Sequence, residues 1–148
     1  MRMVLISLTT VFGISGCSLQ KAIPSGYIEC EEHFEDGFMD YTDYCKYYYK
    51  EGSEDIFAAH KGYEKVKEEE TQNIRGYFDH CGSMMKAQER GAEFDFDPQC
   101  ITVGDYVYIE TKEGEQLGEQ DRYEKYDAYS VYLYDRESHT LYYVHNNN

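Results

Sequence analysis

The stretch from Glu31 to Lys50 reads EEHFEDGFMDYTDYCKYYYK. Within it Phe34, Phe38, Tyr41, Cys45 and Tyr48 step by 4, 3, 4 and 3 residues, the spacing that lines one face of an α-helix. Glu31, Glu32, Glu35 and Asp36 crowd its start and Lys46 and Lys50 its end, the charge order that complements a helix macrodipole. The spacing therefore predicts a helix over 31–50, in spite of Gly37. Tyr47, Tyr48 and Tyr49 are consecutive and cannot all face one way, so at least one of these rings is expected at the surface. Glu51-Gly52 ends the segment, and Ser53 followed by Glu54 and Asp55 has the form of an N-cap and an acidic first turn.

Working outward, a second helical region shows Ile56, Ala59, Tyr63 and Val66, then the charged string KVKEEETQN, then Ile74, Tyr77, Phe78, Cys81, Met84 and Met85. Gly62, Gly76 and Gly82 each cost up to about 1 kcal/mol inside a helix, so a break is expected between Gln72 and Gly76. Met84 and Met85 read as core filling.

After Gly91 the period changes. In ITVGDYVYIET, residues 101–111, Ile101, Val103, Val107 and Ile109 fall on one face with Asp105 among them, and Tyr106 and Tyr108 on the other. Tyr129, Val131 and Leu133 alternate with Ser130, Tyr132 and Tyr134, and Leu141 and Tyr143 alternate with Thr140, Tyr142 and Val144. The polar run Asp135 to His139 between them predicts a hairpin. The sum is an α+β domain over 27–148: two or three N-terminal helices packed on a C-terminal three- to four-stranded antiparallel meander. The tyrosine-rich second face of that sheet (Tyr106, Tyr108, Tyr132, Tyr134 and Tyr142) is either a binding surface or a solvated face where tyrosine supplies cross-strand pairing.

Ahead of this domain, Arg2 is followed by the apolar run Met3, Val4, Leu5, Ile6, Leu8, Val11, Phe12 and Ile14, then Ser15, Gly16 and Cys17. The run is shorter than the ~20 apolar residues that span a bilayer, which marks a secretory signal. Ile14-Ser15-Gly16-Cys17 resembles the lipobox of bacterial lipoprotein signal peptides. The resemblance implies cleavage after Gly16 and a diacylglycerol on the Cys17 thiol, with 1–16 as signal peptide and 17–26 as lipidated N-terminus and linker. Ser18, where an aspartate would signal inner-membrane retention, favours the outer membrane. An envelope protein tethered by lipid is therefore expected.

With Cys17 so used, Cys30, Cys45, Cys81 and Cys100 remain. An even number in an exported domain reads as two disulfides, and a four-cysteine metal site lacks the close C-x-x-C pairs. If 31–50 is a helix, Cys30 and Cys45 lie about 22 Å apart at 1.5 Å per residue, beyond disulfide reach. Folding the helices as a hairpin favours Cys30 with Cys81 and Cys45 with Cys100, with Cys30 with Cys100 and Cys45 with Cys81 as the alternative.

Fourteen basic against 29 acidic residues give a formal charge of −15. Such a surface repels nucleic acid and anionic headgroups and suits a basic protein partner, a cation or plain solubility. Seventeen tyrosines without a tryptophan supply large rings with polar tips, suited to cores near the surface and to interfaces. Chemistry-bearing patterns are sparse. His33, His60, His80, His139 and His145 show no paired ligand spacing, Ser138-His139 lacks a nucleophile-elbow setting, and Asp95-Phe96-Asp97 lacks the remainder of a calcium loop. No cofactor, metal site or catalytic set is expected. The reading is a non-enzymatic binding lipoprotein, such as an inhibitor or immunity protein against a basic toxin or hydrolase. The alternative is an assembly accessory of the outer membrane, by analogy of helices-then-meander order alone.

Overall fold

The computed structural model describes residues 22–35, 40–111 and 128–147. Among these described residues six strands form one antiparallel sheet in the order β1-β2-β6-β5-β4-β3. They are β1 (Glu29–His33), β2 (Tyr41–Tyr48), β3 (Glu64–Lys65), β4 (Tyr106–Thr111), β5 (Ala128–Asp135) and β6 (Thr140–Asn147). Helix α1 (Glu54–Ala59) and the longer α2 (Thr71–Ala87) intervene between β2 and β4. The anticipated order of helices followed by a short meander is overturned: the sheet begins at β1, and β2 pairs with β6 on the far side of the β4-β5-β6 meander.

The first correction is the segment 31–50, which contributes two strands and not a helix. Glu29 lies opposite Tyr48, Cys30 opposite Tyr47 and His33 opposite Tyr44. The residues of β2, YTDYCKYY, are mostly aromatic or β-branched, side chains that suit a pleated surface better than a helix. Their alternation is hidden because β2 is covered on both faces. Thr42, Asp43 and Lys46 are buried along with Tyr44, Cys45 and Tyr47, so the polar-out signal of a half-exposed strand never develops.

Register divides the side chains between two cores. On the first face Tyr44, Val107, Tyr129, Val131, Leu133 and Val144 pack beneath Ile74, Tyr77, Phe78, Cys81 and Met85 of α2, with Phe96 and Ile101 beside them. On the second, Cys45, Tyr47, Tyr106, Tyr132, Tyr134, Leu141 and Tyr143 pack with Ala22, Tyr49, Phe57 and Tyr63. Contrary to the expected break near Gly76, α2 runs unbroken through Gly76 and Gly82. The second glycine has a packing reason, since a Cβ there would lie 2.6 Å from the Phe94 ring.

Those two faces also overturn the disulfides. The thiols of Cys30, Cys45, Cys81 and Cys100 are all free. Cys45 belongs to the second core, whereas Cys81 lies in the first and Cys100 packs against it. Cys30, opposite Tyr47, shares the face of Cys45. Either expected connectivity would thus link thiols across the thickness of the sheet. Burial pushes the Cys45 and Cys81 thiols well above their usual range and raises Cys100 to about 12.

Turns are pinned by carboxylates. Asp105 Oδ2 accepts hydrogen bonds from the Thr102 backbone N–H (2.8 Å) and hydroxyl (3.1 Å), and its Oδ1 from the Arg136 N–H. Asp135 accepts from the Glu137 N–H and the Ser138 hydroxyl, which closes the β5-β6 hairpin at the polar run 135–139. His139 there takes a left-handed φ of 54°, compatible with a tight turn.

Candidate binding surface

The five tyrosines singled out from alternation do not form one surface. Tyr106, Tyr132 and Tyr134 are buried in the second core. Phe57 of α1 stacks on Tyr134 with ring centroids 3.8 Å apart. Tyr108 is half-buried, stacks on Tyr132 at 5.6 Å and donates from its hydroxyl to Glu110 Oε1 at 2.6 Å; that hydrogen bond, with burial, pushes its phenol up to about 12. Tyr142 points to the other face, opposite Leu133, with its ring against Phe96. Alternation within a strand orders its own residues, but only the pairing between strands says which phase of one faces which phase of the next. Cys17 lies outside the described residues.

One polar group on the second face was not apparent from spacing. Ser130 Oγ lies 2.8 Å from His145 Nδ1, and His145 Nε2 lies 3.3 Å from the Tyr41 hydroxyl. Burial lowers the imidazole pKa, which favours the neutral ring. Both ring nitrogens are engaged by hydroxyls, an arrangement that orients the histidine within the sheet. The signal was the cross-strand register, in which Ser130 and His145 are direct partners, and a single chain read linearly does not carry it. Among the described residues no cluster of three or more histidine, cysteine or acidic side chains is placed to hold a metal. No helix there is long and apolar enough to cross a membrane.

Among the described residues, an exposed patch of acidic and apolar side chains lies along β1, one of the two terminal strands of the sheet. Glu29, Cys30, Glu31 and Glu32 are exposed along the strand, and large apolar side chains flank it: Tyr27, Ile28 (62% exposed) and Phe34 (47%). The cations nearby are turned inward. Lys46, nearly buried, donates to Asp95 Oδ2 at 2.6 Å and reaches Glu31 Oε2 at 3.0 Å. Burial alone would lower the ammonium pKa, but the hydrogen bonds to Asp95 and Glu31 outweigh it and hold the group charged. Tyr44 adds a 2.8 Å hydrogen bond to Asp95. Arg90 is held by Glu93 (2.7 Å) and Glu35 (3.3 Å) and donates to the Thr42 and His33 carbonyls. Positive charge is thereby consumed behind the edge, while carboxylates and apolar side chains remain on it.

Compared with family models, curated proteins and solved structures, the chain matches none.

Proposed function

We propose that this is a non-enzymatic protein-binding module, tethered to the bacterial envelope through lipid on Cys17, which engages a basic protein as an inhibitor or immunity protein would. The observation that carries the reading is the contrast at the β1 edge, where Lys46 and Arg90 are tied to carboxylates, Glu31 among them, while Glu29 and Glu32 stay exposed beside Ile28 and Phe34. A formal charge of −15 adds long-range attraction for a cationic partner and speeds its approach. Outer-membrane assembly was suggested by a helices-then-meander order, and that support falls away with the order itself. The anchor accounts for placement in the outer membrane in preference to the inner one, since Ser18 follows Cys17.

The test uses the full-length chain in mild detergent, immobilised and exposed to envelope and secreted fractions at about 0.15 M and 0.5 M salt, where screening of exposed charges differs. A basic protein retained near stoichiometry, and released by salt, supports the reading. Retention of nothing, or of outer-membrane assembly proteins alone, refutes it. For the anchor, Cys17→Ser is expected to move the protein from the membrane to the soluble fraction and abolish incorporation of labelled fatty acid; unchanged membrane retention would refute lipidation.

A further inference from the structure

We propose that the outer edge of β1 takes up an extended basic segment of the partner protein as a seventh, added strand. This rests on the protein-binding reading above and specifies its geometry. Among the described residues β1 is a terminal strand of the sheet, hydrogen-bonded to β2 on one side only, the other terminal strand being the two-residue β3. In such a strand alternate residues turn their N–H and C=O groups away from the sheet, which makes a ready template for another extended chain. Five residues of ladder are enough for a short peptide to pair along.

The side chains select what pairs. A strand added here would set its alternate residues beside Glu29 and Glu31 on one face and Cys30 and Glu32 on the other. Lysine or arginine beside Glu29 or Glu32 would meet a carboxylate, whereas Glu31 is already paired with Lys46, and opposite charges across a strand pair stabilise it. Exposed Ile28 and Phe34 lie beyond the two ends of the strand, where they can cover apolar residues flanking the basic run. The same acidic edge disfavours a second copy of this chain, because an antiparallel register of β1 on β1 such as Glu29 opposite Glu32 sets acid against acid. Charge therefore disfavours self-association and favours a cationic strand in one arrangement.

Cys30 makes the edge observable, being an exposed thiol at the second position of β1. The experiment uses the full-length chain in mild detergent with a synthetic peptide of about seven residues alternating lysine and valine, and an isomer of the same composition with its lysines grouped. Binding is followed by fluorescence anisotropy, the amides of Glu29–His33 by hydrogen exchange, and Cys30 by its rate of reaction with a maleimide. The expected result is binding of the alternating peptide, at least about tenfold slower exchange across β1, and slowed Cys30 labelling. Glu29→Lys, at a solvent-exposed position, should weaken that binding about threefold or more, with folding checked by circular dichroism. Peptide binding with β1 exchange and Cys30 labelling unchanged overturns the edge assignment while leaving the acidic binding reading standing. No binding up to about 1 mM peptide, or protection of β1 by self-association without peptide, also overturns it. A basic protein captured in the salt-dependent pulldown that leaves β1 unprotected separates the two claims in the same way.

Discussion

Helix α1 buries one side chain against the sheet, and replacing it should reveal how much that contact contributes. Phe57 is the buried residue of α1, with 0% exposure. Its ring stacks on Tyr134 at 3.8 Å and 13° and meets Tyr49 and Tyr63 edge-on at 5.0 and 5.3 Å. Truncating a fully buried phenylalanine to alanine costs about 3–5 kcal/mol through lost transfer energy and the cavity left behind. Each aromatic pair is worth about 0.5–1.5 kcal/mol beyond area, though three pairs sharing one ring do not add independently. Phe57→Ala is thus placed near the upper part of the truncation range, about 4 kcal/mol. With a urea slope of about 1–3 kcal/mol per molar, the unfolding midpoint should fall by roughly 1.3–4 M, against a total stability that is typically only about 5–15 kcal/mol. The neighbouring Ile56→Ala, at a residue 37% exposed, should cost less than about 1 kcal/mol. Urea titrations followed by circular dichroism measure both. A Phe57→Ala midpoint within about 0.3 M of the parent, or equal losses for the two variants, would refute the view that this ring clamps α1.

Three further outcomes follow from the same geometry. Gly62 has φ +108° and a Cβ there would stand 2.9 Å from the Tyr108 ring, whereas Gly52 has φ +85° with open space around it; Gly62→Ala should therefore lower the melting temperature clearly more than Gly52→Ala, which bears only a left-handed backbone cost of about 1 kcal/mol, and equal shifts would count against the packing. Burial would raise the Asp95 carboxyl, but hydrogen bonds from Lys46 and Tyr44 outweigh it and hold the group below its ordinary range. Because the folded value is the lower one, its contribution is present above the unfolded value, about pH 4, and is lost as pH falls through the folded value. Asp95→Asn should accordingly lower the urea midpoint at pH 7 and much less at pH 3, and an equal loss at both pH values would contradict the pairing. In native protein a maleimide should modify exposed Cys30 first, half-buried Cys100 more slowly, and Cys45 and Cys81 only on unfolding; a midpoint that drops on adding reductant would instead reveal a stabilising disulfide.

Legibility of this chain depended on whether a segment faces one solvent or none. The alternation over 128–135 and 140–147 and the polar turn between them read directly as paired strands, because a short hairpin is a local event. The same reading failed for 31–50, where Phe34, Tyr41, Cys45 and Tyr48 mimic helical spacing although 41–48 is buried on both sides. The second helical region was similarly half-read: Ile74, Tyr77, Phe78, Cys81 and Met85 do line the buried face of α2, yet in α1 it is Phe57 and not Ile56 that enters the core. At the candidate surface, tyrosine content was evident and its destination was not, since Tyr132 and Tyr134 became core while Tyr142 took the opposite face.

By itself the sequence determined the acidic charge, the lipobox-like N-terminal pattern, the supply of aromatic rings for a core without tryptophan, and the local turn at 135–139. These are properties of composition and of neighbours along the chain. Only the tertiary structure decided that β2 inserts beside β6, at the opposite end of the domain's sequence, with Tyr48 against Thr140 and Tyr41 against Asn147. That pairing set Cys45 on the face away from Cys81 and Cys100 and left β1 as an acidic terminal strand among the described residues. Strand order and register arise from which hydrophobic surfaces bury one another most completely, a competition among distant segments that no window of sequence contains.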